Sequence, residues 1–140
     1  MKQINVAVIG TGWCGGIRAV ASAASPWVKE LHIAEIREDR LKEVAEQTRP
    51  VTATTDYRRL IENPSIDAVM ISTTPEPTHF PIAKEAMLAG KHVFLEKPIA
   101  LELSEANYSK QYVARIYSSC RTDSVNEDEC ANDLNQIFIF

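Results

Sequence analysis

Three short stretches carry residue types that can do chemistry. "HVFLEKP" sets Lys97 between Glu96 and Pro98 at the end of an apolar run. Pro98 restricts its neighbour's backbone to extended or turn geometry, which makes a rigid platform for an ammonium group. A lysine after an apolar strand is most often a solvated end, and one that does chemistry needs a substrate and residues to hold it. "VIGTGWCGG" spaces Gly10, Gly12 and Gly15 as G-x-G-x-x-G, with Thr11, Trp13 and Cys14 between them. "ISTTPEPTHF" puts Ser72, Thr73, Thr74 and Pro75 after another apolar run, followed by His79 near a helix start, where a histidine needs no ligand.

Three glycines alone mark an ordinary tight turn. They bind phosphate when a strand precedes them and a helix follows, and the flanking sequence supplies both. Gly10 lets the chain turn off the strand, Gly12 lets a pyrophosphate approach the backbone, and Gly15 lets the helix pack closely. The unpaired N–H groups of the helix's first turn then face the phosphates. Glu35 ends the second apolar run, 20 residues beyond Gly15. Its carboxylate is placed to accept hydrogen bonds from the adenosine ribose, each worth about 1.5–3 kcal/mol. The same charge repels a 2'-phosphate, which favours NAD over NADP. Arg37 could contact that phosphate if Glu35 turned away, so NADP stays open. Cys14 reads as a bystander facing solvent or core.

These residues need strands to present them. Apolar runs over 4–9, 31–34, 51–53, 68–71 and 92–95 read as short buried strands. Helical spacing fills 17–24, 39–47, 56–62 and 81–89 between them. Strand and helix alternating in this way predict an α/β fold with a doubly wound parallel sheet, a Rossmann-type dinucleotide-binding domain. Asp56 and Thr78 are expected N-caps, and Gly90 is expected to end the helix before the fifth strand.

The bulk properties fit. The chain has 140 residues, 45% of them apolar and 24% charged, and a net charge of −4. That charge gives no field to attract nucleic acid or an acidic membrane surface, and no run approaches the roughly 18 apolar residues of a membrane helix. "INVAVIG" leads into a glycine loop rather than a cleavage site, so no signal peptide is expected. Cys14, Cys120 and Cys130, an odd and scattered set, argue for reduced thiols and against a disulfide framework or a metal site. The expected location is cytoplasmic.

From about residue 4 to 105 the chain resembles the N-terminal nucleotide-binding domain of the glucose-fructose oxidoreductase, inositol dehydrogenase and rhizopine-catabolism (Gfo/Idh/MocA) family. The matching residues are "GTGWCG", Glu35, "DYRRLIENPSIDAVMISTTPEPTH" and "AGKHVFLEKPIAL", in that order. The resemblance implies that Lys97 lies beside the nicotinamide and the substrate's hydroxyl or carbonyl, with Glu96 and Pro98 shaping its turn. It also implies that Thr73, Thr74, Pro75 and His79 lie under the nicotinamide half, and that substrates are sugars, polyols or their derivatives.

The family pattern is lost near Asn107. Family members continue into a second α/β domain that supplies the substrate pocket and an acid/base group, whereas His32, His79 and His92 are the only histidines here. The expected organisation is therefore a dinucleotide-binding domain over 1–106 and a non-family tail over 107–140, partly helical and then poorly ordered. The whole reads as a truncated or frameshifted product, inactive alone, that meets a sugar or polyol only if a second domain is supplied. A module that binds NAD(H) without turnover and a nonfunctional fragment are the competing readings. Apolar surface left where the second domain would dock predicts self-association. The closing "IFIF" would be exposed unless it pairs with a sheet edge.

Overall fold

Each of the five apolar runs forms a strand, and the helices that connect them cover first one face of the sheet and then the other. The computed structural model describes residues 2–108 and the backbone of residues 137–139. Its elements are β1 (Ile4–Ile9), α1 (Trp13–Ala24), β2 (Val28–Ala34), α2 (Glu38–Thr48), β3 (Thr52–Thr54), α3 (Arg58–Ile61), β4 (Ala68–Ile71), α4 (His79–Leu88), β5 (His92–Leu95) and β6 (Ile137–Ile139). A 3-10 turn at Glu76–Thr78 leads into α4. The strands lie in the order β3-β2-β1-β4-β5-β6, and every pairing is parallel.

Alternation along the strands divides the core in two. Ala7, Ile9, Val69, Ile71, Val93 and Leu95 pack with Leu60 of α3 and with Ile82, Ala86 and Met87 of α4. Val8, Leu31 and Ile33 point the other way, onto Ala19 of α1 and Val44 of α2. Each fully buried valine, leucine or isoleucine contributes roughly 1.5–3 kcal/mol. The two-sided burial is why these strands read as near-continuous apolar runs.

The differences from the sequence reading have local causes. α1 starts four residues before the expected 17, because its first turn holds Gly15 and Gly16, poor helix formers kept for close packing. β2 starts at Val28, where the charged Lys29 and Glu30 interrupt the apolar run. α3 is only four residues long, although Asp56 Oδ1 accepts the Arg58 amide at 3.0 Å as a cap would. Thr78 caps nothing by its side chain; its hydroxyl donates to the Pro75 carbonyl at 2.7 Å. Gly90 does follow α4 with φ +73°.

Residues 103–108 are helical, where a helix from about 104 is expected. The rest of the expected tail, Cys120 and Cys130 included, lies outside the described residues apart from 137–139. Those three do find an edge, with Val93, Phe94 and Leu95 opposite Ile137, Phe138 and Ile139. Among the described residues no helix is long and apolar enough to cross a membrane, and no cluster of His, Cys, Asp or Glu could hold a metal ion.

His32 of β2 is 2% exposed, and neither ring nitrogen has a hydrogen-bond partner among the described residues. Burial pushes its pKa down from 6.5, against a weaker upward pull from Glu30. The fold therefore prefers the neutral ring, and the unfolded chain takes up the extra proton first. The stability tied to the neutral ring is fully present above the unfolded value and is lost as pH falls. Thermal melts are expected to show a declining midpoint below about pH 6.5, and His32→Leu should flatten that decline.

Candidate functional site

The last rungs of the ladder bring the sequence-predicted residues to one edge. Gly10 N donates to Ala34 O at 2.8 Å, Glu35 N to Thr54 O at 3.0 Å, Ser72 N to Ile9 O at 2.9 Å and Glu96 N to Ile71 O at 2.9 Å. Glu35, Gly10, Ser72 and Glu96 therefore stand side by side at the carboxyl ends of β2, β1, β4 and β5. After β1 and β4 the chain leaves toward opposite faces, which opens a crevice between them, the position where open α/β sheets bind ligands.

The three glycines have different duties there. Gly10 has φ +81°, and a Cβ on it would stand 2.8 Å from both Ser72 O and Thr73 Cα. A Cβ on Gly15 would stand 1.8 Å from Gly10 O. A Cβ on Gly12 would meet nothing within 4 Å, so the loop backbone is open to the cleft at that point. The loop is held from the side by Glu35, whose Oε2 accepts from Thr11 N at 2.7 Å and Thr11 Oγ1 at 3.2 Å. Its Oε1 accepts from Arg37 N at 3.1 Å. Arg40 Nε donates to Thr11 O at 2.8 Å. Sequence reasoning missed Arg40; its one signal was a place in the first turn of the helix that follows the acidic strand end.

A cleft of about 530 Å³ lies over this edge, within the usual range for ligand sites. Gly10, Gly12, Trp13, Glu35 and Arg37 form its wall on the β1–β2 side, and Ser72, Thr73 and Thr74 on the β4 side. Trp13 is 83% exposed. Arg37 pairs with Asp39 at 2.6 Å, but these side chains are 68% and 70% exposed, and such a pair adds little.

The other sequence-predicted residues do not line this cleft. Thr11 is buried beneath the loop. Cys14 is a free, half-buried thiol, and Gly15 is buried within α1. Pro75 stands past the β4 end before the 3-10 turn. His79 is 1% exposed, with Nδ1 2.8 Å from Pro98 O and Nε2 2.8 Å from Thr73 O. Glu96 turns toward α1, where it pairs with Arg18 at 2.5 Å. That hydrogen bond holds its carboxyl below the usual carboxylate range. Lys97 is exposed, and its ammonium has no hydrogen-bond partner among the described residues.

The arrangement fits a dinucleotide. A glycine loop open at Gly12 and the start of a twelve-residue helix at Trp13 border the cleft beside the Glu35 carboxylate. Comparison with known proteins agrees. The model of the "Oxidoreductase family, NAD-binding Rossmann fold" (Gfo/Idh/MocA) matches residues 4–119. A myo-inositol 2-dehydrogenase from Thermotoga maritima is 35% identical over 104 residues, 74% of this chain and 31% of that protein. The structure of a scyllo-inositol dehydrogenase from Lactobacillus casei, with bound NAD(H) and scyllo-inositol, superposes with a TM-score of 0.74 at 28% identity. The match covers 81% of this chain and 34% of that one. A 3-ketoreductase from Actinomadura kijaniata in complex with NADP gives a TM-score of 0.69 at 30% identity, over 79% of this chain and 35% of that one. The chain thus spans about a third of the length of these relatives. It belongs to the Gfo/Idh/MocA oxidoreductase family, and its first five strands, glycine loop and cleft are that family's NAD-binding Rossmann domain.

Proposed function

We propose that these residues bind NAD(H) across the carboxyl edge and present Lys97 to the nicotinamide end for hydride transfer. The bound nicotinamide supplies the chemistry by accepting or giving a hydride. The observation that carries the reading is the cleft itself, with the open glycine loop at its middle, Glu35 at one end and Thr73 and Thr74 at the other. In this reading the loop and α1 amides hold the pyrophosphate. Glu35 accepts from the adenosine ribose and disfavours NADP, with Arg37 beside it. Ser72, Thr73 and Thr74 border the nicotinamide half, Pro75 shapes their loop, and the exposed ammonium of Lys97 is free to meet a substrate oxygen.

Supported by the inositol dehydrogenases among its relatives, we propose a sugar, polyol or derivative as that substrate. Hydride transfer needs it held in near-attack geometry, and Lys97 is exposed rather than enclosed. We therefore propose that a second domain completes the substrate pocket, and that these 140 residues alone bind cofactor without measurable turnover. We place the protein in the cytoplasm. We also propose self-association at high concentration through the exposed Trp13, Ile17 and Val20, which recur along one face of α1; sedimentation that stays monomeric would refute it.

Trp13 supplies the binding test. NADH is expected to quench tryptophan emission by energy transfer, and Trp13→Phe should remove most of the response while leaving that of the more distant Trp27. A response that survives Trp13→Phe undiminished would put the dinucleotide elsewhere.

A further inference from the structure

Lys97 is mounted between two ties. On its amino side, Arg18 of α1 donates to Glu96 Oε2 and to Ser72 Oγ, both at 2.5 Å, while its guanidinium lies 4.8 Å from the centre of the Phe94 ring. The second Glu96 oxygen accepts the amide of Lys97 at 3.0 Å. On its carboxyl side, the His79 ring of α4 lies between Pro98 O and Thr73 O, 2.8 Å from each; its N–H donates to one of these carbonyls, according to the tautomer, and the ring packs against the other. Each tie joins the same two segments, 72–73 after β4 and 96–98 after β5. They do so from opposite faces of the sheet, since α1 and α4 pack on opposite faces.

Both ties are sheltered. His79 is 1% exposed, and the Arg18 and Glu96 side chains are 20% and 16% exposed. The Arg18–Glu96 pair is a charge-assisted bond, the stronger kind. Lysine has a long flexible stem, and misplacement by about 1 Å can cost roughly 100-fold in rate. With its ammonium unengaged, the backbone mount is what limits where Lys97 can reach.

We propose that Arg18 and His79 are positioning residues which clamp the 96–98 turn to the β4 loop from both faces and so fix Lys97 at the nicotinamide end of the cleft. The inference rests on the reading of Lys97 given above. Neither residue itself lines the cleft, although Ser72 and Thr73, which they contact, do.

Amide NMR of the full chain tests it. In Arg18→Met and in His79→Gln, the backbone order parameter of Lys97 is expected to fall from about 0.85 to below about 0.6. The shift that NADH induces at the Lys97 amide should shrink by at least half, while the shift at Gly12 persists. Arg18→Lys should restore part of both, and Arg18→Gln and His79→Asn replace the first pair if those fail to melt cooperatively. Variants that melt cooperatively yet keep the order parameter and the full NADH shift would overturn the proposal. If NADH moves Gly12 but not Lys97 in the unsubstituted chain, the reading of Lys97 fails, and the order parameter still decides whether the ties hold the turn.

Discussion

Gly15→Ala is expected to abolish the folded state, and Gly12→Ala is expected to fold and lose the cofactor. The two glycines are three residues apart in one motif, and their environments predict opposite outcomes. A methyl on Gly15 would lie 1.8 Å from the carbonyl oxygen of Gly10. The Gly10 oxygen is backbone and a Cβ has no rotamer to move it away, so relief requires separating α1 from the end of β1. A cost above about 4 kcal/mol is the exceptional class of single substitution, set against a total stability of about 5–15 kcal/mol. A methyl on Gly12 meets no protein atom within 4 Å, and the melting midpoint should change little. That methyl occupies the path by which the pyrophosphate reaches the backbone. Losing one or two charge-assisted bonds of about 1.5–3 kcal/mol each weakens NADH binding by roughly 100-fold. Circular dichroism melts and NADH titration read both outcomes. A folded Gly15→Ala, or a Gly12→Ala that binds NADH normally, would contradict the assignment of roles.

Glu35→Ala is expected to weaken NADH by about 10- to 100-fold, the loss of one or more such bonds, and to weaken NADPH much less. The structure places Glu35 against the glycine loop through Thr11 and in the wall of the cleft, where the proposed reading gives it the adenosine ribose as well. Loss of the anchor harms both cofactors alike. Loss of the charge harms NADH and relieves repulsion of the 2'-phosphate, for which Arg37 is free apart from an exposed pair with Asp39. Comparing NADH and NADPH titrations separates the two tasks. Equal losses would mean that the carboxylate serves the loop alone and does not select the cofactor.

What the sequence showed and what it hid follow from how local each interaction is. β1, β4 and β5 have the bounds expected from their apolar runs, because strands buried on both faces need apolar residues at successive positions. The glycine loop was legible because tight-turn and close-packing demands act over a few neighbouring residues. The ties around the site were not. Arg40 reaches Thr11 across 29 positions, and Arg18 reaches Glu96 across 78. No local pattern encodes a side chain's partner at such distances. For the same reason the contacts of Glu96 with Arg18 and of His79 with Pro98 and Thr73 could not be read from the sequence. The need of "IFIF" for a sheet edge was apparent from its composition; that the edge is β5 depends on the order of strands.

The most direct test of cofactor binding at this cleft is a thermal melt of the chain without ligand, with NADH and with NADPH. At about 100 times the dissociation constant, binding to the folded state alone adds about 2.7 kcal/mol, or roughly 9–12 °C for a domain of this size. The account predicts one cooperative transition that NADH raises by that amount and that NADPH raises less. A cooperative transition that stays at the same temperature with either nucleotide would contradict it.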